Sequence, residues 1–348
     1  MSVKTRYKLT ILTDGGRIMK KRTSRLVSLL TTTALCVGLL AGCGSGSSSS
    51  TSSTSSDSSK KTYKIAWCNN SSSDDYQVAL TNTFDKYKSD YNMEIVKFDA
   101  QADTQTQANQ VLQAVSQKVD AILITPNDAV GLGTALKEAH DAGIKVITTA
   151  TDVGEDYRQY RDCFVGPNDT TAGELAGKAM VEAFPNGGKV VMIEGQAGYD
   201  AQIKRTDGFK KAIEGSKVEL LDAQACSAWD ANEAMKIMED FVVKYGDQIQ
   251  GVFCQWDVGT AGAVQAIEAS SLKVEDLNIV SIDGCKEGVD NVKSGKVDTT
   301  IMQDMDGIGK GTLDATYKIL NGEKVDSEIN PDLIVVNKDN CNDYNPTW

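Results

Sequence analysis

The sequence predicts an α/β protein built of two doubly wound parallel sheets, and three observations carry that expectation. From Lys61 onward, short β-rich runs alternate with longer stretches of helical periodicity. The alternation restarts after Val165, which marks two sheets of similar size. With 348 residues, 41% of them hydrophobic, the chain is long enough to give each sheet a core of its own.

In chain order, the first set of strands is expected at Lys64 to Cys68, Met93 to Phe98, Ala121 to Ile124, Lys145 to Thr149 and Cys163 to Val165. The second set is expected at Lys189 to Ile193, Val218 to Ala223, Gly251 to Gln255, Ile279 to Ile282 and Thr299 to Met302. Between them fall helices such as Gln105 to Lys118, Thr170 to Phe184, Ala231 to Tyr245 and Gly307 to Leu320. Repeated β-α-β units imply parallel strands with helices on both faces, because each crossover must return over the sheet. Gly173 and Gly177 lie four apart on one helix face and are read as permitting close helix packing. Trp67, inside the first strand, is read as core.

The leader has a different character. Met19-Lys20-Lys21-Arg22 followed by the apolar run Leu26 to Leu40 has the layout of a secretory signal, too short and Thr-rich to span a membrane stably. Met19 is the expected start, with residues 1–18 outside the translated product. The run ends in Leu40-Ala41-Gly42-Cys43, which resembles the lipobox of bacterial lipoproteins and assigns Cys43 as the lipidated residue. Gly44 to Ser59 is almost pure Ser, Gly and Thr, a flexible tether with a reach of roughly 20–25 Å.

Charge and composition exclude several functions. The net charge is −12, but residues 1–43 hold eight basic side chains and one acid, leaving a body of 28 basic and 47 acidic residues at −19. Nucleic-acid phosphate is not a partner for such a surface. His140 is the only histidine, so no metal site or catalytic arrangement needing two imidazoles is available. It ends an amphipathic stretch and is read as a solvated helix end. Beyond Cys36 and Cys43, six cysteines remain, none in C-x-x-C spacing; export permits disulfides, but several lie in apolar strand runs where a buried free thiol is expected. No cofactor is implied.

In open parallel sheets, ligands bind outside the carboxyl ends of the strands. Those ends here carry Ser73-Asp74-Asp75-Tyr76, Thr125-Pro126-Asn127-Asp128, Trp256-Asp257 and Asp283-Gly284. Carboxylates accept hydrogen bonds from pairs of hydroxyls, and flat rings cover the apolar faces of a sugar, so the set suits a neutral, hydroxyl-rich ligand. Each Asp taken alone fits helix capping equally well.

The motifs ILITPND, CFVGPNDTTAGELAGKAM, VVMIEGQAG, RTDGF, SAWDANEA, VFCQWD, IVSIDG and TIMQ together resemble the ribose/galactose-type periplasmic binding proteins of sugar ABC importers, over residues 62 to about 336. The resemblance implies the type I architecture, two lobes joined by three crossovers near Gly166, Asp304 and Pro331, closing on one sugar without chemistry. It divides the chain into a signal peptide at 1–42, an anchor and tether at 43–61, an N-terminal lobe of 62–166 plus 304–331, and a C-terminal lobe with tail of 167–303 plus 332–348. Carried over residue by residue, it places Tyr76 and Trp229 as stacking rings and Asp74, Asp283 and Gln303 at the hydroxyls, with Thr125 in place of a family Asn. Trp256 replaces an Asn directly before the retained Asp257. Ala150 and Thr151 replace a charged or amide pair unless a small slip brings Asp152 into register. Ile203 replaces an Arg, while Arg205 is kept and is read as support for packing.

These departures make the pocket less cationic and more aromatic than a free-ribose site, favouring a hexose, a deoxy or methylated sugar, a polyol or a small glycoside. The implied protein is a lipid-anchored receptor on the outer face of the bacterial membrane, delivering a monosaccharide or polyol to an ABC permease and its ATPase subunit. A sensory receptor of the same fold is the alternative. A glycoside hydrolase using Asp257 and Asp283 lacks any second motif, and a transcription regulator lacks its helix-turn-helix.

Overall fold

The computed structural model describes residues 61–346 and 348. The expected signal sequence, lipidation site Cys43 and Ser-rich tether lie outside the described residues.

The first sheet takes β1 (Tyr63–Asn69), β2 (Met93–Asp99), β3 (Ala121–Ile124), β4 (Lys145–Thr149), β5 (Cys163–Val165) and β11 (Glu328–Ile329), in the spatial order β11-β5-β4-β3-β1-β2. The second takes β6 (Gly188–Gln196), β7 (Val218–Cys226), β8 (Gly251–Cys254), β9 (Asn278–Asp283), β10 (Thr299–Gln303) and β12 (Leu333–Asn337), in the order β12-β10-β9-β8-β6-β7. The described pairings are parallel except that of β12 with β10. The chain passes from one sheet to the other after β5, after β10 and after β11.

Each sheet is buried on both faces, and the two-residue period of a strand sorts its side chains between them. In β1, Ile65 and Trp67 enter one core while Ala66 and Cys68 enter the other. In β6, Val191 and Ile193 face one core and Val190 and Met192 the opposite one. Trp67 is fully buried, its indole N–H donating to Thr81 Oγ1 at 2.9 Å. The helices are α1 (Asp75–Tyr87), α2 (Thr104–Ser116), α3 (Gly133–Asp141), α4 (Asp169–Ala183), α5 (Asp200–Ile213), α6 (Ala231–Tyr245), α7 (Asp257–Glu268), α8 (Lys286–Ser294) and α9 (Met305–Leu320). Although α9 follows the second sheet in sequence, its Met305, Ile308 and Leu313 complete a core of the first.

Cys68, Cys163, Cys226, Cys254, Cys285 and Cys341 are free and buried. Two strands escape the sequence pattern. β11 has only two residues, and β12 is a half-buried edge strand, so neither carries the dense apolar run that marks the others.

The helices α4 and α5 approach through glycine. A Cβ on Gly173 would stand 2.1 Å from the Arg205 carbonyl oxygen, and one on Gly177 would stand 2.6 Å from the Ala212 Cβ. Gly173→Ala is therefore expected to force the helices apart and lower stability by about 1–3 kcal/mol, read by urea unfolding; an unchanged midpoint would mean the contact is not rigid.

Candidate functional site

The strand order reverses direction between β1 and β3 in the first sheet and between β6 and β8 in the second, and crevices open at such switch points. A cavity of ≈ 760 Å³ lies there, between the sheets' carboxyl ends.

From the first lobe, Asp74 caps the N-terminus of α1, accepting from the backbone N–H of Tyr76 at 2.9 Å and of Gln77 at 3.4 Å. Burial pushes its carboxyl up to about 6, those N–H groups offsetting part of the effect. Tyr76 presents its ring to the cavity and donates its hydroxyl to Gln303 Oε1 at 3.1 Å. Gln303 Nε2 in turn donates to Asp283 Oδ1 at 2.7 Å. A continuous chain thus runs from α1 of the first lobe, through the end of β10, to the second lobe.

Asp283 sits at the end of β9 with φ 125°, a conformation costly for a side chain with a Cβ. Its carboxyl is raised well above the ordinary carboxylate range, by burial first and by Asp257 and Asp74 as neighbouring negative charges. Arg205 Nη1 stands 4.0 Å from it. That guanidinium is engaged elsewhere, with Nε donating to Asp169 Oδ1 at 2.8 Å and Nη1 to the Gln255 carbonyl at 2.7 Å.

The second lobe contributes a corner of rings. Tyr199 and Trp229 meet at 5.5 Å between centroids and 80° between planes, Trp229 and Trp256 at 5.3 Å and 89°. All three line the cavity. Of the expected residues, Asp74, Tyr76, Trp229, Trp256 and Asp283 thus converge on one cavity from two lobes.

Four expected residues are placed differently. Thr125 is fully buried, and its hydroxyl is spent on the Thr149 carbonyl at 3.1 Å. Asp152 also faces away: both its oxygens bind Arg161, with Nε and Nη2 each at 2.8 Å, and Thr148 Oγ1 donates to it at 2.7 Å. Ala150 and Thr151 line the cavity instead, so no slip of register brings Asp152 in. Asp257 lies beneath Asp283, accepting from Cys285 N at 2.9 Å and Thr300 Oγ1 at 2.8 Å, and positions the turn that carries Asp283. Gln303 is 2% exposed and acts through Tyr76 and Asp283, with both ends of its amide taken.

Three wall residues were not expected. Tyr199 follows the end of β6, and its hydroxyl accepts from Asn70 Nδ2 at 2.8 Å, tying the lobes together; its place at a strand's carboxyl end was the available signal. Arg205 reaches the cavity rather than only supporting packing. Trp348 packs edge-on against Tyr76 at 5.3 Å, while its carbonyl accepts from Lys286 N at 2.6 Å. The tail therefore spans both lobes, although Tyr344 packs with the second.

A two-lobed pair of parallel sheets with a polar, ring-lined cleft defines a solute-binding protein. The chain matches the periplasmic binding protein domain over residues 65–324 and belongs to that family. It is a binding protein and not an enzyme. It is similar to the ribose import binding protein RbsB of Bacillus subtilis, 28% identical over 276 residues that span 79% of this chain and 87% of that one. Among solved structures it is similar to an ABC transporter solute binding protein from Agrobacterium vitis with bound D-fucose, 27% identical with a TM-score of 0.75 over 80% of this chain and 96% of that one. It is likewise similar to one from Bacillus halodurans with bound myo-inositol, 27% identical with a TM-score of 0.75 over 81% of this chain and 96% of the other.

Asp152→Ala would leave the buried Arg161 guanidinium only the exposed Glu328 at 3.2 Å and the Ser327 carbonyl at 2.6 Å. It is expected to lower stability by about 3–5 kcal/mol in urea unfolding, whereas a ligand contact would leave stability nearly unchanged.

Proposed function

We propose that this chain is the extracytoplasmic receptor of an ABC importer, capturing a monosaccharide or polyol between its lobes and presenting the closed form to a permease with its ATPase subunit. The observation that carries the reading is the cavity walled from both lobes by rings and carboxylates, with Asp74 and Tyr76 on one side and Trp229, Trp256 and Asp283 on the other. A ligand touching both walls favours closure, because only the closed form makes both sets of contacts. The relatives' ligands, D-fucose and myo-inositol among them, are of the same class. Import rather than sensing is favoured by relatives that are themselves import binding proteins. The Leu40-Ala41-Gly42-Cys43 sequence and the Ser-rich stretch after it support a lipid anchor through Cys43 and a tether holding the domain off the membrane.

The purified chain is expected to show a thermal shift with at least one member of a panel of sugars and polyols, neutral and amino-substituted. At a hundredfold excess over Kd the gain is about 2.7 kcal/mol. Trp229→Ala should weaken that ligand at least tenfold, since a ring face is lost. Silence across the whole panel would refute the reading. Cys43→Ser should move the protein from the membrane to the soluble fraction of the expressing cell.

A further inference from the structure

The cavity's charge does not balance. Five carboxylates line it, Asp74 and Asp75 from the first lobe and Asp283, Glu287 and Asp290 from the second, against the two cations Arg205 and Lys286. Neither cation is free for a ligand. Arg205 is held by buried Asp169, which is not a lining residue, and Lys286 Nζ is paired with Asp290 at 2.5 Å. Asp74, Asp75 and Glu287 have no ion-pair partner among the described residues, and Asp283 has only the shared Arg205, with Nη1 at 4.0 Å. They face one another across the cleft, and the negative charge of Asp74 raises Asp283 as that of Asp75 raises Glu287.

The rings add a second, independent preference. Tyr199, Trp229 and Trp256 stand nearly perpendicular to their neighbours, forming the corner of a box rather than a flat stacking platform. Perpendicular ring faces beside a carboxylate attract an organic cation through the ring quadrupole. Trp229 already shows that behaviour, with the Arg205 guanidinium carbon 5.8 Å from its ring centre.

Resting on the sugar-binding reading, we infer that the preferred ligand carries an ammonium group, as an amino sugar, an aminocyclitol or an amino polyol. At the level of sequence, the carboxylates and rings suit a neutral ligand, because nothing there shows how the charges lining the cleft are paired. A ligand ammonium between half-buried Asp74 and buried Asp283 satisfies both carboxylates at once and cancels the repulsion that resists closure. Burial drives both carboxyls upward, and for Asp283 the Arg205 charge offsets only part of the effect.

The test is calorimetric titration of the full chain with three matched pairs: D-glucosamine and D-glucose, D-galactosamine and D-galactose, and D-glucamine and D-glucitol. N-acetyl-D-glucosamine serves as an uncharged control. In at least one pair the amine is expected to bind tenfold tighter or more, with affinity falling as salt is raised. The preference should shrink in Asp74→Asn, which keeps the helix cap, or in Asp283→Asn. A neutral partner binding as tightly in every pair, the N-acetyl form matching the amine, or a preference intact in both variants overturns the inference while the sugar-binding reading stands. If no compound of either kind binds, the sugar-binding reading falls and takes this inference with it.

Discussion

The Tyr76–Gln303–Asp283 hydrogen-bond chain is the element on which the site depends. Gln303 is the last residue of β10, where the chain leaves the second sheet for α9 of the first, so it sits at a crossing point. An amide donates from one end and accepts at the other. It therefore fixes a phenol of one lobe and a carboxylate of the other in a single geometry. The unusual backbone of Asp283 is held from below as well, where Asp257 secures the following turn through Cys285. Strain of this kind persists only where the surroundings determine it several times over.

A second constraint is electrostatic. Burial lifts Asp74 and Asp283 together, and each lobe's carboxylates repel those of the other. Arg205 relieves Asp283 only in part, because its charge is shared with Asp169. Ligand charge and lobe closure are thereby joined: a group that neutralises the cleft also removes a cost of closing it. The ring corner of Tyr199, Trp229 and Trp256 gives the same cleft a directional apolar wall, and Trp348 lines it from the tail.

Much of the architecture was legible because it rests on local pattern. Five of the expected strands fall in each sheet, and the helix Ala231–Tyr245 has the bounds its periodicity predicts. Asp74, Tyr76, Trp256 and Asp283 were recognisable because they stand at or just beyond strand ends, where the topology of an open sheet puts ligands, whereas Trp229 came only through the family resemblance. Thr125, Asp152 and Asp257 stand at strand ends too, yet their polar atoms are taken by Thr149, Arg161, and Cys285 with Thr300. The positional signal is the same for both groups, and only the partner differs.

The sequence by itself determined the alternation of strands and helices, the two sheets and the loops that border the cleft, since periodicity and turn chemistry act over a few residues. The tertiary structure decided which side chains remain available there. Arg205 is joined to Asp169 across 36 positions, and Tyr76 to Gln303 across 227. Trp348 meets Tyr76 from the far end of the chain. Whether a buried polar group faces a ligand or a neighbour depends on such distant pairings, because desolvation makes each group take whichever partner the fold brings within reach.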